Sequence, residues 1–234
     1  MIIDGHTFLG KSIYLSQTSN ELLKKMDKHK IDVSVVTAPA PGPFYDDANS
    51  IVKTEVRKNK DRLIALYRTN PCVKGTVEKL RSNLDNGVFK GIKLDPTNDG
   101  YGVGNFLDDI LVVAEDFNVP VYIHSGDSIF CPPESVAEYA KKHPKISFIT
   151  PRSRRAPQAA EHVNNLYLMS RPFPAVTFQR GNLDYFEIDK LIFVSDSPIG
   201  NHKVELVAVE QAGLEDKVYQ KIMSENIKQI FDIT

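Results

Sequence analysis

The sequence predicts an α/β fold in which eight parallel strands close into a (β/α)8 barrel. Short runs rich in β-branched residues recur along the chain, and amphipathic stretches with helical periodicity separate them. Several of the runs are apolar throughout, as are strands that are covered on both faces. The 234 residues suffice for eight β/α units. We therefore expect one barrel domain over residues 1–234, with an open doubly wound sheet as the alternative fold.

The expected strands follow one another at regular intervals. They are Ile2–Phe8, Asp32–Ala38, Leu63–Arg68, Gly91–Leu94, Val121–His124, Ile146–Thr150, Leu166–Ser170 and Leu191–Ser195. The connection after the seventh strand, residues 172–189, has poor helical periodicity, so we expect an irregular or shortened helix there. The chain has no Gly-rich dinucleotide motif and no P-loop, which disfavours the doubly wound alternative.

Helical patterns occupy the other connections. The first, over residues 19–30, places Leu22 and Met26 on one face, with Ser19 or Asn20 as the expected N-cap. Three histidines fall in such stretches and are expected to be packing or surface residues: His29, His143 and His162.

Composition excludes several classes of partner. The formal net charge of -1 gives no overall field that would attract nucleic acid or a membrane surface. The two cysteines, Cys72 and Cys131, have no paired spacing, which fits a reducing compartment. The first residues lack a basic region followed by a long apolar stretch, and no apolar run reaches about 18 residues, so neither a signal peptide nor a membrane helix is expected. We expect a cytoplasmic protein that acts on a small molecule.

Ionisable side chains stand at the ends of the first, fourth, fifth and eighth expected strands. These are His6, Lys93, His124 and Asp196. Catalytic groups of barrels lie at the C-terminal ends of the strands, so a site at that mouth is expected. Each residue also has a structural interpretation: a hydrogen-bonded core histidine, a helix-capping aspartate or a lysine whose ammonium reaches solvent. Arg152, just past the sixth strand, is a further candidate, and His202 is a weaker one.

Several segments, taken in order, resemble the amidohydrolase superfamily, in particular its amidohydrolase 2 branch of metal-dependent hydrolases and decarboxylases. They are IIDGHTFLG, FKGIKLDP, VPVYIHSGDS, HPKISFITPRSRRAPQAAEH, NLYLMS, LIFVSDSPIG and the tail ELVAVEQAGLEDKVYQKIMSENIKQIF. The resemblance covers nearly the whole chain. It implies a (β/α)8 barrel with a divalent metal at the C-terminal mouth, and it implies a homodimer, although no segment indicates an interface.

The resemblance implies an incomplete set of metal ligands. The family carries Asp-x-His-x-His on its first strand, and here Phe8 replaces the second histidine. Arg152 stands where the family has its sixth-strand histidine. The positions that still match a family ligand are His6, His124 and Asp196. Three such ligands can hold zinc, with manganese or iron as alternatives. Phe8 has no lone pair and an arginine does not ligate, so the sequence leaves open whether a metal binds.

The leading interpretation is a metal-dependent hydrolase that acts on a small anionic substrate through a metal-activated water. The resemblance implies that Asp196 accepts the proton of this water. Lys93 is expected to contact the substrate and stabilise developing negative charge. Arg152 is expected to bind a carboxylate or phosphate, helped by Arg154 or Arg171. A related decarboxylase and a catalytically inactive barrel that binds a small acid remain the alternatives.

Overall fold

A computed structural model describes residues 1–39, 45–126, 128–171, 177 and 187–233. Eight parallel strands form one sheet in sequential order, with a two-stranded antiparallel ladder outside it. The sheet strands are β1 (Ile3–Phe8), β4 (Val33–Thr37), β5 (Leu63–Arg68), β6 (Phe89–Leu94), β7 (Val121–Ile123), β8 (Phe148–Pro151), β9 (Leu166–Met169) and β10 (Leu191–Ile192). The ladder consists of β2 (Gly10–Lys11) and β3 (Ser16–Gln17).

Backbone hydrogen bonds join the first strand to the segment that follows the last one. Gly5 N donates to Phe193 O at 2.9 Å, and Asp196 N donates to His6 O at 3.0 Å. Phe8 N also donates to Ser197 O at 2.8 Å. The two edges of the sheet are therefore tied together, which confirms the (β/α)8 barrel and excludes the open sheet.

Helices follow the strands in the expected alternation. They are α1 (Ser19–His29), α2 (Tyr45–Lys58), α3 (Thr76–Asp85), α4 (Pro96–Asp99), α5 (Asp108–Phe117), α6 (Pro133–Lys142), α7 (Ala156–Ala160), α8 (His202–Gln211), α9 (Asp216–Gln220) and α10 (Asn226–Phe231). A π-helical turn, Lys221–Glu225, joins the last two. Most of residues 172–189 lies outside the described residues, apart from a 3-10 turn that starts at Ile188. None of the described helices has the length and apolar composition needed to cross a bilayer.

Local chemistry moves some boundaries from their expected positions. The N-cap of α1 is Thr18 instead of Ser19 or Asn20, because Thr18 and Glu21 form a reciprocal capping box. The prediction that His143 and His162 lie in helices was wrong. His143 is the residue after α6, which ends before Pro144, and His162 follows α7 with a φ of 60°.

The apolar core has two parts. The larger part packs the helices against the outside of the barrel. The smaller part fills the interior of the barrel and takes residues from most of the strands: Ile3, Val35, Leu66, Tyr122, Ile149, Tyr167, Met169, Ile192, Val194 and, from α10, Ile227. This interior packing closes the barrel below its C-terminal mouth, so a pocket at the mouth has a solid floor.

Candidate active site

A cavity of about 380 Å³ opens among the C-terminal ends of the barrel strands. Its lining residues are His6, Phe8, Tyr14, Leu15, Lys93, Asp95, Asn98, His124, Pro151, Met169, Arg171, Asp196 and Ile199. All four strand-end residues singled out in the sequence, from His6 to Asp196, are among them. The alternation of side chains along each strand turns these residues toward the barrel axis, above the apolar interior.

His6 is a buried histidine that is paired with a carboxylate. Its Nδ1 lies 2.5 Å from Asp196 Oδ1, and its ring packs edge-on against Phe8 at a centroid distance of 4.9 Å. Burial lowers the pKa of His6, and the charge of Lys93 acts in the same direction, while Asp196 offsets this only in part. His6 is therefore neutral at pH 7 and donates its Nδ1–H to Asp196. Its Nε2 is buried and has no hydrogen-bond partner among the described residues.

Asp196 has a backbone conformation that is uncommon for a residue with a side chain. Its φ is 52°, in the left-handed region that Asp tolerates better than most residues. Its Oδ2 lies 3.4 Å from Arg171 Nε. Burial alone raises the pKa of Asp196, but the hydrogen bond from His6 and the charges of Arg171 and Lys93 outweigh burial and lower it. The carboxylate is thus a fixed negative charge and a weak base.

His124 forms the second histidine–carboxylate pair, and this pair is more accessible. His124 Nδ1 lies 2.8 Å from Asp95 Oδ1, and the His124 side chain is 39% exposed. Asp95 also accepts hydrogen bonds from Arg68 Nη1 at 2.9 Å and from Asn98 Nδ2 at 2.8 Å. Burial alone raises the pKa of Asp95, but the bond from His124 and the charges of Lys93 and Arg68 hold it well below its usual range.

Lys93 brings an amine into the cavity wall. The residue is only 2% exposed, and within the described part of the chain its Nζ has no hydrogen bond or ion pair. The two lining carboxylates, Asp95 and Asp196, are already engaged by histidine and arginine side chains. Burial lowers the pKa of Lys93, and the charge of Arg68 adds to this, whereas the two carboxylates counteract it.

Arg171 supplies a guanidinium two residues beyond the end of β9. Its Nη1 donates to Glu205 Oε1 at 2.6 Å, and its Nε faces Asp196. Gly200 makes room for this side chain: a Cβ there would lie 2.6 Å from Arg171 Nη1 and 2.0 Å from Ser195 O. Only glycine fits this position without displacing the guanidinium or the backbone.

The other predicted basic and histidine candidates lie elsewhere. Arg152 is partly buried and is bound through its backbone N to Arg171 O at 2.8 Å, but it is not among the described residues that line the cavity. Arg154 is exposed. His202 begins α8 and is buried with its Nε2 3.0 Å from Asp4 Oδ2, also outside the described lining. An anion-binding role of Arg152 stays a prediction, and Arg171 provides the guanidinium in the cavity wall.

The described residues do not fit the metal site that the resemblance implies. No three His, Cys, Asp or Glu side chains in the described part of the chain are arranged to hold a metal ion. His6 and His124 belong to separate pairs, each with its own carboxylate. The cations of Lys93 and Arg171 line the same cavity, and their charge opposes a divalent ion at close range.

Sequence reasoning missed four residues that build this site. They are Arg68, Asp95, Gly200 and Glu205. Two of them carried a signal, because Arg68 ends the otherwise apolar strand LIALYR and Asp95 directly follows the strand that contains Lys93. The other two reach Arg171 only through packing of the segment after β10, which no local pattern encodes.

Comparisons with known proteins support the fold. No family model and no curated protein sequence matches the chain. Among solved structures, 5-carboxyvanillate decarboxylase from Sphingomonas paucimobilis superposes with a TM-score of 0.79 at 12% identity, covering 100% of this chain and 99% of that one. A probable 2-pyrone-4,6-dicarboxylic acid hydrolase from Acinetobacter baumannii, with citric acid bound, gives 0.74 at 16% identity and covers 99% of each chain.

A second 5-carboxyvanillate decarboxylase, from Novosphingobium aromaticivorans, contains manganese and 3-methoxy-4-hydroxy-5-nitrobenzoic acid. It superposes with a TM-score of 0.75 at 12% identity and covers 99% of this chain and 97% of that one. At these identities the likeness concerns the fold. The resemblance to amidohydrolase 2 proteins is confirmed at that level, because the chain has the same (β/α)8 barrel fold as these structures.

Proposed function

We propose that the protein is an enzyme that hydrolyses or decarboxylates a small anionic substrate at the mouth of its barrel. The observation that carries this proposal is that two cations, Lys93 and Arg171, and two histidine–aspartate pairs line one cavity of about 380 Å³. Cations for binding and paired histidines for proton transfer are what such reactions require. Similarity to barrels that are decarboxylases or hydrolases supports the same class.

Arg171 is the residue that we expect to bind the carboxylate of the substrate. Glu205 uses its Nη1 and Asp196 faces its Nε, so these acidic neighbours fix the guanidinium plane. Its Nη2 has no hydrogen bond to the described residues and can donate to an incoming anion. Lys93 adds a second positive charge in the same cavity. A volume of about 380 Å³ suits a molecule of metabolite size.

His124 is the residue that we expect to carry protons. Asp95 holds its Nδ1, which leaves Nε2 as the ring atom that exchanges a proton with the substrate or a water. We assign Asp196 a positioning role, instead of the general-base role implied by the resemblance. It orients His6 and Arg171, and its lowered pKa makes it a weak proton acceptor.

The metal-activated water implied by the resemblance is the competing version of this chemistry. It would need His6, His124 and Asp196 to converge on one ion, whereas each histidine is held by a separate carboxylate. We therefore assign the stabilisation of negative charge to Lys93 and Arg171. The manganese in a barrel of the same fold makes the metal content of this protein worth measuring alongside activity.

The test is a panel of aliphatic and aromatic carboxylic acids and their esters, lactones and amides, assayed for CO₂ release and for acid release. Wild type is compared with Arg171→Met and with Arg81→Met, a control arginine in an exposed ion pair with Asp116. We expect turnover in wild type and in the control, and at least tenfold less in Arg171→Met. Acids that bind without turning over would support the inactive binding barrel and overturn the enzyme proposal.

A further inference from the structure

The amine of Lys93 is in an unusual position for a lysine that serves only as a surface charge. It is buried in the barrel, lines the cavity, and has no hydrogen bond or ion pair to the residues that the structure describes. A buried ammonium without a hydrogen-bond partner is unfavourable, so burial increases the share of Lys93 that is present as the neutral amine, while the remainder stays cationic. A neutral, accessible amine is a nucleophile.

The charges around Lys93 keep its amine available. Asp95 is already hydrogen-bonded to three side chains, those of Arg68, His124 and Asn98. Asp196 is likewise engaged in a hydrogen bond of its own. Arg68 is fully buried and places a second, permanent positive charge close to Lys93. Burial together with a neighbouring cation is the arrangement that activates lysine amines toward carbonyl groups.

We propose that Lys93 forms a covalent imine with the carbonyl carbon of a small 3-oxo carboxylic acid whose carboxylate is bound by Arg171. This inference rests on the proposed function, because it names the substrate class and the reacting atom of the same site. It goes further than a charge-stabilising role, since the lysine nitrogen becomes bonded to the substrate.

The chemistry balances with water as the only co-reactant. The lone pair of neutral Nζ attacks the carbonyl carbon, proton transfer gives a carbinolamine, and loss of water leaves the imine. After protonation, the imine accepts the electron pair of the breaking carbon–carboxylate bond, so CO₂ leaves and an enamine forms. A proton then returns to the enamine carbon, and the expected carrier is His124, whose side chain is accessible in the cavity wall. Hydrolysis releases the ketone and regenerates the amine.

The test traps the imine by reduction. Wild-type protein is incubated with acetoacetate and cyanoborohydride, and its intact mass and peptide map are measured. We expect one reduced adduct, on Lys93, with the mass of the acid or of its decarboxylated ketone. The matched controls are Lys90→Arg, which alters an exposed lysine of the same strand, and Lys93→Arg, which keeps the charge but lacks an amine able to form the imine.

The outcomes separate this inference from the proposed function. Lys90→Arg should label like wild type, and Lys93→Arg should lose the adduct while acetoacetate still binds in a calorimetric titration. The peptide map of wild type shows which lysine carries the adduct, so the inference remains testable even if Lys93→Arg fails to fold. Binding of acetoacetate without an adduct on Lys93, or labelling spread over exposed lysines, overturns the imine and leaves the proposed function standing. Turnover of other acids alongside no binding of acetoacetate overturns the substrate class.

Discussion

The interior of the barrel and its mouth are built from the same strands, yet their chemistry is opposite. On β5, Leu66 packs in the apolar interior, and Arg68, two residues later, is a buried cation with two carboxylate partners. Tyr122 and His124 repeat the pattern at β7. One step of two residues along a strand therefore moves a side chain from a layer that stabilises the fold to a layer that can do chemistry.

The two layers also differ in how they bear substitution. An apolar interior loses packing when a side chain is shortened, and the loss scales with the cavity that remains. A charged layer is destabilised when one charge is removed, because the partners of that charge stay buried without a counter-charge. Substitutions in the interior should change stability alone, and those at the accessible part of the mouth should change function alone.

The largest effect is expected where the two layers meet, at Arg68→Leu. The Asp95 and Asp99 side chains, at 3% and 0% exposure, lose their shared cation. Breaking a buried ion pair on one side costs about 3–5 kcal/mol, so the free energy of unfolding in urea should fall by that amount. Arg81→Leu, in an exposed pair with Asp116, is the control and should cost no more than about 1 kcal/mol. Equal losses in both variants would contradict the buried network.

Leu66→Ala tests the interior layer by itself. We expect the free energy of unfolding to fall by about 2–5 kcal/mol, because the side chain is fully buried in the barrel interior. Acid binding measured by calorimetry, well below the melting temperature, should stay within about twofold of wild type. A loss of binding as large as the loss of stability would show that the mouth depends on interior packing more closely than the two-layer comparison allows.

His124→Gln tests the accessible part of the mouth. Loss of a general acid–base residue lowers kcat by about 100-fold or more, which corresponds to about 2.7 kcal/mol in the barrier. Because the side chain is 39% exposed, the melting temperature should hardly change. The matched variant is His6→Gln, which alters the buried pair and should lower the melting temperature more than His124→Gln does. The reverse order of the two melting temperatures would argue against the assignment of roles.

A smaller effect is expected from the pH dependence of stability at Glu205. Burial raises the pKa of Glu205 to about 7, against the opposing hydrogen bond and charge of Arg171, and Asp196 and Asp4 raise it further. The pKa of Glu205 is higher in the folded than in the unfolded protein. The stability that Glu205 contributes is therefore fully present below about pH 4.5 and is lost as the pH rises toward 7.

Comparing the pH dependence of unfolding in wild type and Glu205→Gln isolates this contribution. Between pH 5 and 7, the free energy of unfolding should decline more steeply with pH in wild type than in the variant. The difference between the two slopes should correspond to at most about one bound proton per molecule. Identical slopes would mean that Glu205 is ionised throughout this range and that Arg171 neutralises it completely.

The fold was more predictable from the sequence than the site, for physical reasons. Local composition predicts strands such as Leu63–Arg68, and the number of strands and their alternation with helices predict the barrel. Their place at strand ends also predicted that four ionisable residues converge at the mouth of the barrel: His6, Lys93, His124 and Asp196.

What could not be predicted is how these charges are distributed among partners. Whether Asp196 faces a metal or a guanidinium depends on Arg171, whose position depends on Gly200 and Glu205 far along the chain. Packing of segments distant in sequence decides this, and residue types alone do not. The predicted strand ends located the ionisable residues, and the structure shows which of them are paired.

We infer that the mouth of the barrel binds a small carboxylate with its own cations. This binding is tested most directly by titrating acetoacetate calorimetrically into chelator-treated protein of measured metal content, with and without added Mn²⁺. We expect the same Kd in both, and a Kd about tenfold higher or more in Arg171→Met, since loss of a charge-assisted hydrogen bond costs about 1.5–3 kcal/mol. Binding that requires Mn²⁺ and is unaffected by Arg171→Met would show instead that a metal ion, and not Arg171, holds the carboxylate.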